Sequence, residues 1–354
     1  MTNWSPVQAN PDYTLPDWQR AHGEPVFQGL IKQTASDFNV TEILGYELSG
    51  DGEHDFLWIE KEGENTAWVA ERLASKAGVR DMDVGYSGRK DRLAVTRQWF
   101  SVRRPTGTGT DWDNFNEPGV TILKQTRHEK KLRRGAHSGN HFKIAIRGAN
   151  ADANAINERL ELIREKGVPN YFGEQRFGRG GSNLNLANGL FTGRRLKRNK
   201  RSIALSAARS YIFNQILQFR INEDCWDKAI PGEALNLDGT GSVFVEKQID
   251  ANLQARLLSL DIHPTGVLWG SGELICRDEA AKIDATIAAQ FEVLSHGLQK
   301  QKVKQARRAL RLAVHDLKWE LEDETLWLDF WLTSGGFATS VLREVVDHAT
   351  GNNA

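Results

Sequence analysis

The residue most suited to chemistry in this sequence is Asp91, the one acid in a strongly basic stretch. Residues 84–104 carry six cationic side chains around it, namely Arg89, Lys90, Arg92, Arg97, Arg103 and Arg104. A carboxylate among so many cations should be held ionised at neutral pH, and it can then act as a nucleophile or a base. The alternative interpretation is a surface turn whose aspartate forms ordinary salt bridges.

The residues around Asp91 predict a loop that leads into a strand. Gly85 and Gly88 bracket a turn, and Gln98, Phe100 and Val102 then alternate with more polar neighbours, as in a strand. An amphipathic helix is predicted upstream over residues 67–76, after a strand over 56–61. Downstream, the pattern predicts a helix over 151–166, a buried strand over 326–332 and a last helix over 337–347.

Composition sets the broad class. A chain of 354 residues, with 40% hydrophobic and 26% charged residues, has room for two domains and is typical of a soluble protein. The net charge of zero excludes a uniformly basic coat but allows local basic patches. Two isolated cysteines, Cys225 and Cys276, favour a reducing compartment. Since there is neither a signal peptide nor a long apolar run, we expect a cytoplasmic protein without a membrane span.

Local patches are indeed present as basic tracts. Tracts at 124–134, 194–201 and 300–311 are candidate phosphate-binding surfaces, although such runs are often only solvated faces. The last tract ends a helix predicted over 279–312, with a possible kink at Gly297. The loop 170–184 mixes aromatic residues, arginines and glycines, and this mixture fits single-stranded nucleic acid better than a nucleotide-binding P-loop.

Several chemistries find no support in the sequence. His137 and His141 have helical spacing, but Gly139 and Asn140 between them argue against a helix and hence against a metal site. Motifs for a nucleophilic serine or cysteine and for a dinucleotide are also missing. Two classes remain: a carboxylate-centred, cofactor-free enzyme, or a protein that only binds or chaperones RNA. Asp91 discriminates between them, because a passive binder gains nothing from an acid among its cations.

These segments together resemble the TruD family of tRNA pseudouridine synthases over nearly the whole chain. The short motifs that carry the resemblance occur in the family's order at 32–38, 40–42 (VTE), 88–92 (GRKDR), 94–98 (AVTRQ), 139–142 (GNHF), 168–173 (VPNYFG), 175–178 (QRFG), 199–201 (NKR), 205–209 (LSAAR), 336–340 (GFATS) and 343–344 (RE). Ser87 and Arg89 depart from the residues that other members often have. The departure affects local substrate contacts and leaves the Lys90–Asp91 pair intact.

The resemblance implies an α+β fold in two parts. It implies a pseudouridine-synthase-like catalytic domain with a mixed, largely antiparallel sheet, into which an α/β family-specific domain is inserted. We expect an N-terminal arm at 1–25, a catalytic domain at 26–160 and 313–354, and the inserted domain at 161–312.

The resemblance also implies an activity, the conversion of uridine 13 of tRNA to pseudouridine. Asp91 is then the nucleophile or base, Lys32 a cation near its carboxylate, and Phe38, Asn140 and Phe337 the lining of the uridine pocket. We expect phosphate contacts from Arg89, Lys90, Arg133, Arg134, Arg176, Arg194, Arg195, Lys197, Arg198, Lys200 and Arg201. tRNA is the expected partner of a monomeric enzyme that has no cofactor, metal or membrane requirement.

Overall fold

The computed structural model describes residues 15–104, 109–246 and 248–350. Its largest element is a ten-stranded β-sheet. The strands, in chain order, are β1 Phe27–Ile31, β2 Phe38–Leu44, β3 His54–Glu62, β4 Val84–Tyr86, β5 Val95–Arg103, β6 Val120–His128, β7 His137–Arg147, β8 Val168–Pro169, β9 Ala234–Leu237, β10 Val243–Val245, β11 Ile262–Leu268, β12 Ala306–Ala309, β13 Arg311–Leu312, β14 His315–Glu322, β15 Thr325–Thr333 and β16 Val346–Thr350. The helices are α1 Thr66–Ala77, α2 Ala153–Lys166, α3 Ser182–Phe191, α4 Arg198–Asn222, α5 Ala251–Leu258, α6 Asp278–Gln290, α7 Glu292–Lys300 and α8 Ala338–Val345.

The chain forms two compact units. The first, here the sheet unit, comprises residues 25–160, 314–338 and 345–350. The second, here the helical unit, comprises 15–24, 161–313 and 339–344. Most of the predicted N-terminal arm, residues 1–14, lies outside the described residues, while Trp18 is buried in the helical unit against Tyr171.

The sheet unit is built on a ten-stranded sheet whose main path runs β14-β15-β7-β2-β5-β3-β6. The pairs β2–β5 and β1–β16 are parallel, and the other pairs between its described strands are antiparallel. The expectation of an α+β fold with a mixed, largely antiparallel sheet is therefore confirmed. Strand β15 shows the period of two that specifies it, because Leu326, Leu328, Phe330 and Leu332 are fully buried and their neighbours are not.

Helix α1 covers one end of this sheet and brings the chain to the Asp91 loop. Its apolar side chains Val69 and Leu73 pack on Leu57 and Phe100 of β3 and β5, and all four are 0% exposed. Gly78 ends the helix in the left-handed conformation, with φ 64°, where a glycine has no side chain to clash. The helix predicted over 67–76 is thus confirmed with one extra residue at each end.

The helical unit has its own core. Helices α3, α4, α6 and α7 enclose it, beside a four-stranded sheet in the order β10-β9-β11-β12. Gly297 lies inside α7 rather than at a kink, and a Cβ there would come within 2.1 Å of the Phe191 ring. The predicted kink at Gly297 is therefore wrong: this glycine permits close packing, and the helix breaks at Phe291.

The single helix predicted over 279–312 is also wrong beyond Lys300. The chain leaves α7, passes through Lys302 with φ 54°, and continues as β12 and β13. Its arginines are not a phosphate-binding face: Arg307 forms an ion pair with buried Asp284, and Arg311 donates to the Ile262 carbonyl at 2.8 Å. A buried acid and backbone carbonyls far along the chain engage these arginines, while Lys300, Lys302 and Lys304 of the tract stay exposed, and a local charge pattern cannot show the difference.

The loop 170–184 is likewise not a surface for stacking bases. Its rings are core residues, since Tyr171, Phe172 and Phe177 are 2%, 7% and 0% exposed. Arg308 lies over the Phe172 ring, 4.2 Å from its centroid. The aromatic and basic residues of this motif thus pack on each other inside the helical unit.

Candidate active site

Asp91 lies on the loop between β4 and β5, and its side chain is 48% exposed. Lys32 Nζ donates to Asp91 Oδ2 at 2.5 Å, so the predicted pairing of this cation with the carboxylate is present. Lys32 adopts φ 57°, a left-handed conformation that side chains other than glycine rarely take. Backbone strain of this kind tends to be kept at functional sites, where it fixes a side chain in place.

Buried polar groups hold the Asp91 loop from below. Lys61 of β3 is 0% exposed and donates through Nζ to the Asp91 carbonyl at 2.8 Å. Burial lowers the pKa of Lys61 to about 8, against the opposing effect of the Asp91 charge. Burying an amine whose hydrogen bond goes to one loop carbonyl costs free energy, which indicates that the position of the loop is important. The residue patterns gave Lys61 no role, although it falls in phase with the buried Leu57 and Ile59 of the same strand.

Thr66 and Gln98 fix the start of the same loop. Gln98 Nε2 donates to the Gly88 carbonyl at 3.0 Å, and Gln98 Oε1 accepts from Thr66 Oγ1 at 2.9 Å. Thr66 Oγ1 in turn accepts from the Lys90 backbone N–H at 2.9 Å. Both side chains are buried, so this chain of hydrogen bonds is shielded from water and connects β5 and α1 to the residue before Asp91.

Glu42 of β2 is the third support, and sequence reasoning gave it no role beyond its place in a motif. Its carboxylate accepts from Ser87 Oγ at 2.6 Å, from Lys90 Nζ at 2.9 Å and from the Trp99 N–H at 3.2 Å. The Lys90 and Glu42 side chains are 6% and 0% exposed. Lys90, predicted to contact phosphate, is thus engaged in a buried ion pair that ties the loop to the sheet.

Of the predicted uridine-pocket residues, Phe38 shares a partner with Asp91, because Lys32 contacts both. Its ring packs edge-on against Phe142, with centroids 6.3 Å apart, and Lys32 Nζ sits 4.2 Å from the Phe38 centroid. Lys32 therefore links the Phe38 ring to the carboxylate. Phe38 itself is only 5% exposed, so a base can meet it only at an edge or after Lys32 moves.

The sheet register brings the other two predicted pocket residues to the same region. Asn140 of β7 is paired with Glu42 on one side and with Leu332 on the other. Its Oδ1 is enclosed and has no hydrogen-bond partner among the described residues. Strand β15 ends at Thr333, one residue past Leu332, and a short turn leads to Phe337, which precedes α8 and is 40% exposed, a high value for a large apolar ring.

A histidine completes the surroundings of the loop. Register shifts between Ile43 and Leu44, where β2 pairs with β7, and His137 lies beside this bulge. A Cβ at Gly88 would lie 3.6 Å from His137 Cε1 and 3.5 Å from Lys90 Nζ. Burial lowers the pKa of His137, helped by Lys90 and opposed by Glu42.

The predicted phosphate contacts fall into two sets. In the sheet unit, Arg89 and Arg133 are exposed, and Arg134 donates to the Tyr86 hydroxyl at 2.8 Å. In the helical unit, Arg176 is half-buried over Phe172 and donates to Ser206 Oγ at 2.7 Å. The other six predicted contacts of this unit are all exposed, and we call them the basic segment: Arg194, Arg195, Lys197, Arg198, Lys200 and Arg201.

The basic segment leads into α4, whose first turn contains no acid. Cations at a helix N-terminus oppose the helix dipole, so this arrangement reduces stability unless an anion binds there. Arg201 is the exception in its contacts, since its guanidinium donates to Gln301 Oε1 at 2.9 Å. The other five present their charges to solvent.

Within residues 15–104, 109–246 and 248–350, no group of three His, Cys, Asp or Glu side chains is placed to hold a metal ion. Over the same residues, no helix is long and apolar enough to cross a membrane. Cys225 and Cys276 are both free thiols.

Comparison with known proteins gives a consistent result. The family model for tRNA pseudouridine synthase D (TruD) matches residues 20–187 and 191–345. A tRNA pseudouridine synthase D from Methylococcus capsulatus is 46% identical, covering 94% of each chain, and one from Aeromonas hydrophila is 44% identical, covering 92% of each. A crystal structure from Methanosarcina mazei assigned to tRNA pseudouridine synthase D superimposes with a TM-score of 0.72 at 19% identity, over 94% of this chain and 96% of that one. On its sequence and its fold, this chain belongs to the tRNA pseudouridine synthase D (TruD) family.

Proposed function

We propose that this protein isomerises uridine 13 of tRNA to pseudouridine, with Asp91 as nucleophile or base. The observation that carries the proposal is the placement of the Asp91 carboxylate. It is half-exposed at a loop whose backbone is held by buried Lys61, and Lys32 is bonded to one of its oxygens. No described residue is hydrogen-bonded to the other oxygen, Oδ1, which leaves it for a substrate.

The reaction is an isomerisation, so its atoms balance without a second substrate. The bond between ribose C1′ and uracil N1 breaks, the base rotates, and a bond forms between C1′ and C5. The hydrogen lost from C5 is balanced by the one gained at N1. Asp91 has three roles open to it: attack on C1′, attack on the uracil ring, or removal of a ribose proton to give a glycal. In each, Lys32 stabilises the carboxylate before it reacts.

The pocket residues suit a flipped uridine. Extruding a base from folded RNA costs a few kcal/mol, and stacking on an aromatic ring returns roughly 1 to 3 kcal/mol. Phe337 presents such a ring. The unpartnered Asn140 Oδ1 is an acceptor that suits the uracil N3–H. A base that filled both contacts would be held while it turns.

The basic segment supplies the grip on the rest of the tRNA in this proposal. Exposed cations contact phosphates and position an RNA without reading its sequence.

We further propose that the protein acts as a monomer in the cytoplasm. The monomer is supported by the fact that the predicted site residues all come from the sheet unit of one chain, namely Lys32, Phe38, Asp91, Asn140 and Phe337. Light scattering of the purified protein, alone and with tRNA, tests it.

The test is the variant Asp91→Asn. Asn keeps the size of Asp but cannot attack or accept a proton usefully, so we expect a folded protein that binds tRNA and forms no pseudouridine. Single-turnover pseudouridine formation is measured with excess enzyme, beside a tRNA binding isotherm. Asp51→Asn, at an exposed loop position, serves as the matched control. Conversion above about a thousandth of the wild-type rate, some 4 kcal/mol of barrier, would remove Asp91 from the chemistry.

Position 13 needs a separate test. A tRNA transcript with cytidine at position 13 should gain no pseudouridine, whereas the unmodified transcript should gain it there alone. Pseudouridine at another position in either transcript would refute the proposed target while leaving the chemistry intact.

A further inference from the structure

The sheet unit has a second concave site, on the opposite face of the sheet from Asp91. It is a cavity of about 340 Å³ lined by Asn39, Thr41, Arg97, His141, Lys143 and Trp327. These residues alternate along their strands with Phe38, Glu42 and Gln98, which face the candidate active site. Because successive side chains of a strand point to opposite faces, the cavity is separate from the Asp91 loop. We call this side of the sheet the open face.

The cavity carries cations that an anion can engage. Lys143 is exposed and lies 5.5 Å from the Trp327 ring centroid; it is paired in register with Asp329, whose carboxylate is hydrogen-bonded to His141. Arg97 is paired with Glu60 at 2.6 Å and His141 with Asp329 at 2.7 Å, and the two basic side chains are 39% and 40% exposed. An ion pair as exposed as Arg97–Glu60 contributes little free energy and exchanges readily for another anion.

Aromatic side chains accompany these cations on the open face. Trp331 follows Trp327 two residues later on β15 and stacks on His315, with centroids 4.1 Å apart. Trp58 and Trp99 form a second pair, 5.2 Å apart, on β3 and β5. All four tryptophans are only partly buried. Sheets that bind single-stranded RNA use partly exposed rings of this kind to stack bases, with cations for the phosphates.

We propose that the open face binds single-stranded RNA, and that the cavity takes one unpaired nucleotide of it. The base stacks on Trp327, Lys143 contacts its phosphate, and the Asn39 amide and Thr41 hydroxyl hydrogen-bond its base or ribose. A volume of about 340 Å³ lies within the usual range for small-ligand pockets. The site is an additional RNA contact, on the opposite face of the sheet from the uridine that Asp91 would modify.

Binding of a single-stranded RNA tests the proposal directly. The probe is a fluorescein-labelled RNA of about 12 nucleotides, a length in the range covered by one such site. In anisotropy titrations, Trp327→Leu and Lys143→Gln should each weaken binding about fivefold or more. Lys143→Glu should in addition lower the slope of log affinity against log salt by about 1.

Two matched controls isolate the face. Trp319→Leu removes a partly buried tryptophan whose indole bonds Asn157 and which sits on the other side of the same hairpin. Lys282→Glu makes the same charge change at an exposed position of α6. Both should leave the affinity for the probe unchanged. Thermal melts of every variant ensure that a loss of binding is not a loss of fold.

Cross-linking gives an independent measurement. The same RNA carrying 4-thiouridine should, after irradiation, form adducts on peptides that contain Trp327 or Lys143. Wild-type affinity in all three folded variants, with no adduct on these peptides, would overturn the proposal. These readouts do not depend on pseudouridine formation, so they stand or fall separately from the role of Asp91.

Discussion

Phe337 is the residue whose exposure most directly separates a binding role from a structural one. At 40% exposure it contributes little to the core, and the alternative that it is a core residue is disfavoured. Phe337→Ala should therefore leave the melting temperature nearly unchanged. It should lower the single-turnover rate by roughly 5- to 150-fold, which corresponds to a stacking energy of about 1 to 3 kcal/mol.

The control for this prediction is Leu123→Ala, which truncates an apolar side chain that is 47% exposed on β6. It should change neither quantity. A large drop in melting temperature for Phe337→Ala, with normal activity of the fraction that remains folded, would return Phe337 to the core.

The buried Lys61 should make the free energy of unfolding depend on pH in a defined direction. Its pKa is lowered from 10.5 to about 8 in the folded protein, so the folded state binds fewer protons than the unfolded state between these values. Stability from this group therefore rises from pH 8 to 10.5, and its full destabilising effect is present below pH 8. Lys61→Met should raise the free energy of unfolding at pH 7 by roughly 1 to 3 kcal/mol, remove that rise, and still reduce pseudouridine formation.

Denaturant unfolding at pH 7 and at a pH near 10 measures this effect. The matched control is Lys76→Met, because Lys76 also donates to a loop carbonyl, that of Asn114 at 3.0 Å, but is exposed. It should show no gain. A loss of stability in Lys61→Met would mean that the hydrogen bond to the Asp91 carbonyl outweighs the burial of the amine.

At the scale of elements, the Asp91 loop is joined to β2 by the Glu42–Lys90 pair. Glu42→Gln leaves a Lys90 ammonium that is 6% exposed without its counter-charge, at a cost of about 3 to 5 kcal/mol. We expect a lower melting temperature and faster hydrogen exchange over residues 87–92. The double variant Glu42→Gln, Lys90→Met should recover much of the stability, because no buried charge remains, but not the activity.

The activity of the double variant separates a role of the ion pair in stability from a role in positioning Asp91. If the double variant regains activity along with stability, the ion pair serves the fold alone and does not position Asp91. Lys228→Met, which breaks an exposed ion pair with Asp224, provides the comparison for a pair that should contribute almost nothing.

Sequence reasoning identified the candidate carboxylate and the cation paired with it, but not the buried groups that hold their loop. Asp91, Lys32 and the helix before Asp91 were predictable because local patterns and short motifs carry them. Lys61 and Glu42 were not, since their value depends on partners 30 and 48 residues away. The arginines of β12 and β13 show the converse error: a run of cations looks like a surface until distant residues such as Asp284 are found beside it.

At the scale of the whole molecule, a chain of zero net charge has to concentrate its cations if it is to hold RNA. The basic segment does so without the buried partners that neutralise β12 and β13. Its proposed role in tRNA binding is therefore shared among several residues. The salt dependence of the tRNA affinity measures that role.

Reversing two charges of the basic segment, Arg195→Glu and Lys200→Glu, should weaken tRNA binding and flatten its salt dependence. Each lost phosphate contact removes counterion release, so the slope of log affinity against log salt should fall by about 1 to 2. Filter binding over a range of salt concentrations measures this slope.

The control reverses the charges of Lys166 and Lys282, two exposed lysines of the same unit. At saturating enzyme the single-turnover rate of the test variant should equal that of the wild type, because these cations hold tRNA and do not touch the reacting uridine. An unchanged slope would remove the basic segment from the RNA interface and leave Arg89, Arg133 and Arg134, the exposed predicted contacts of the sheet unit, as candidates.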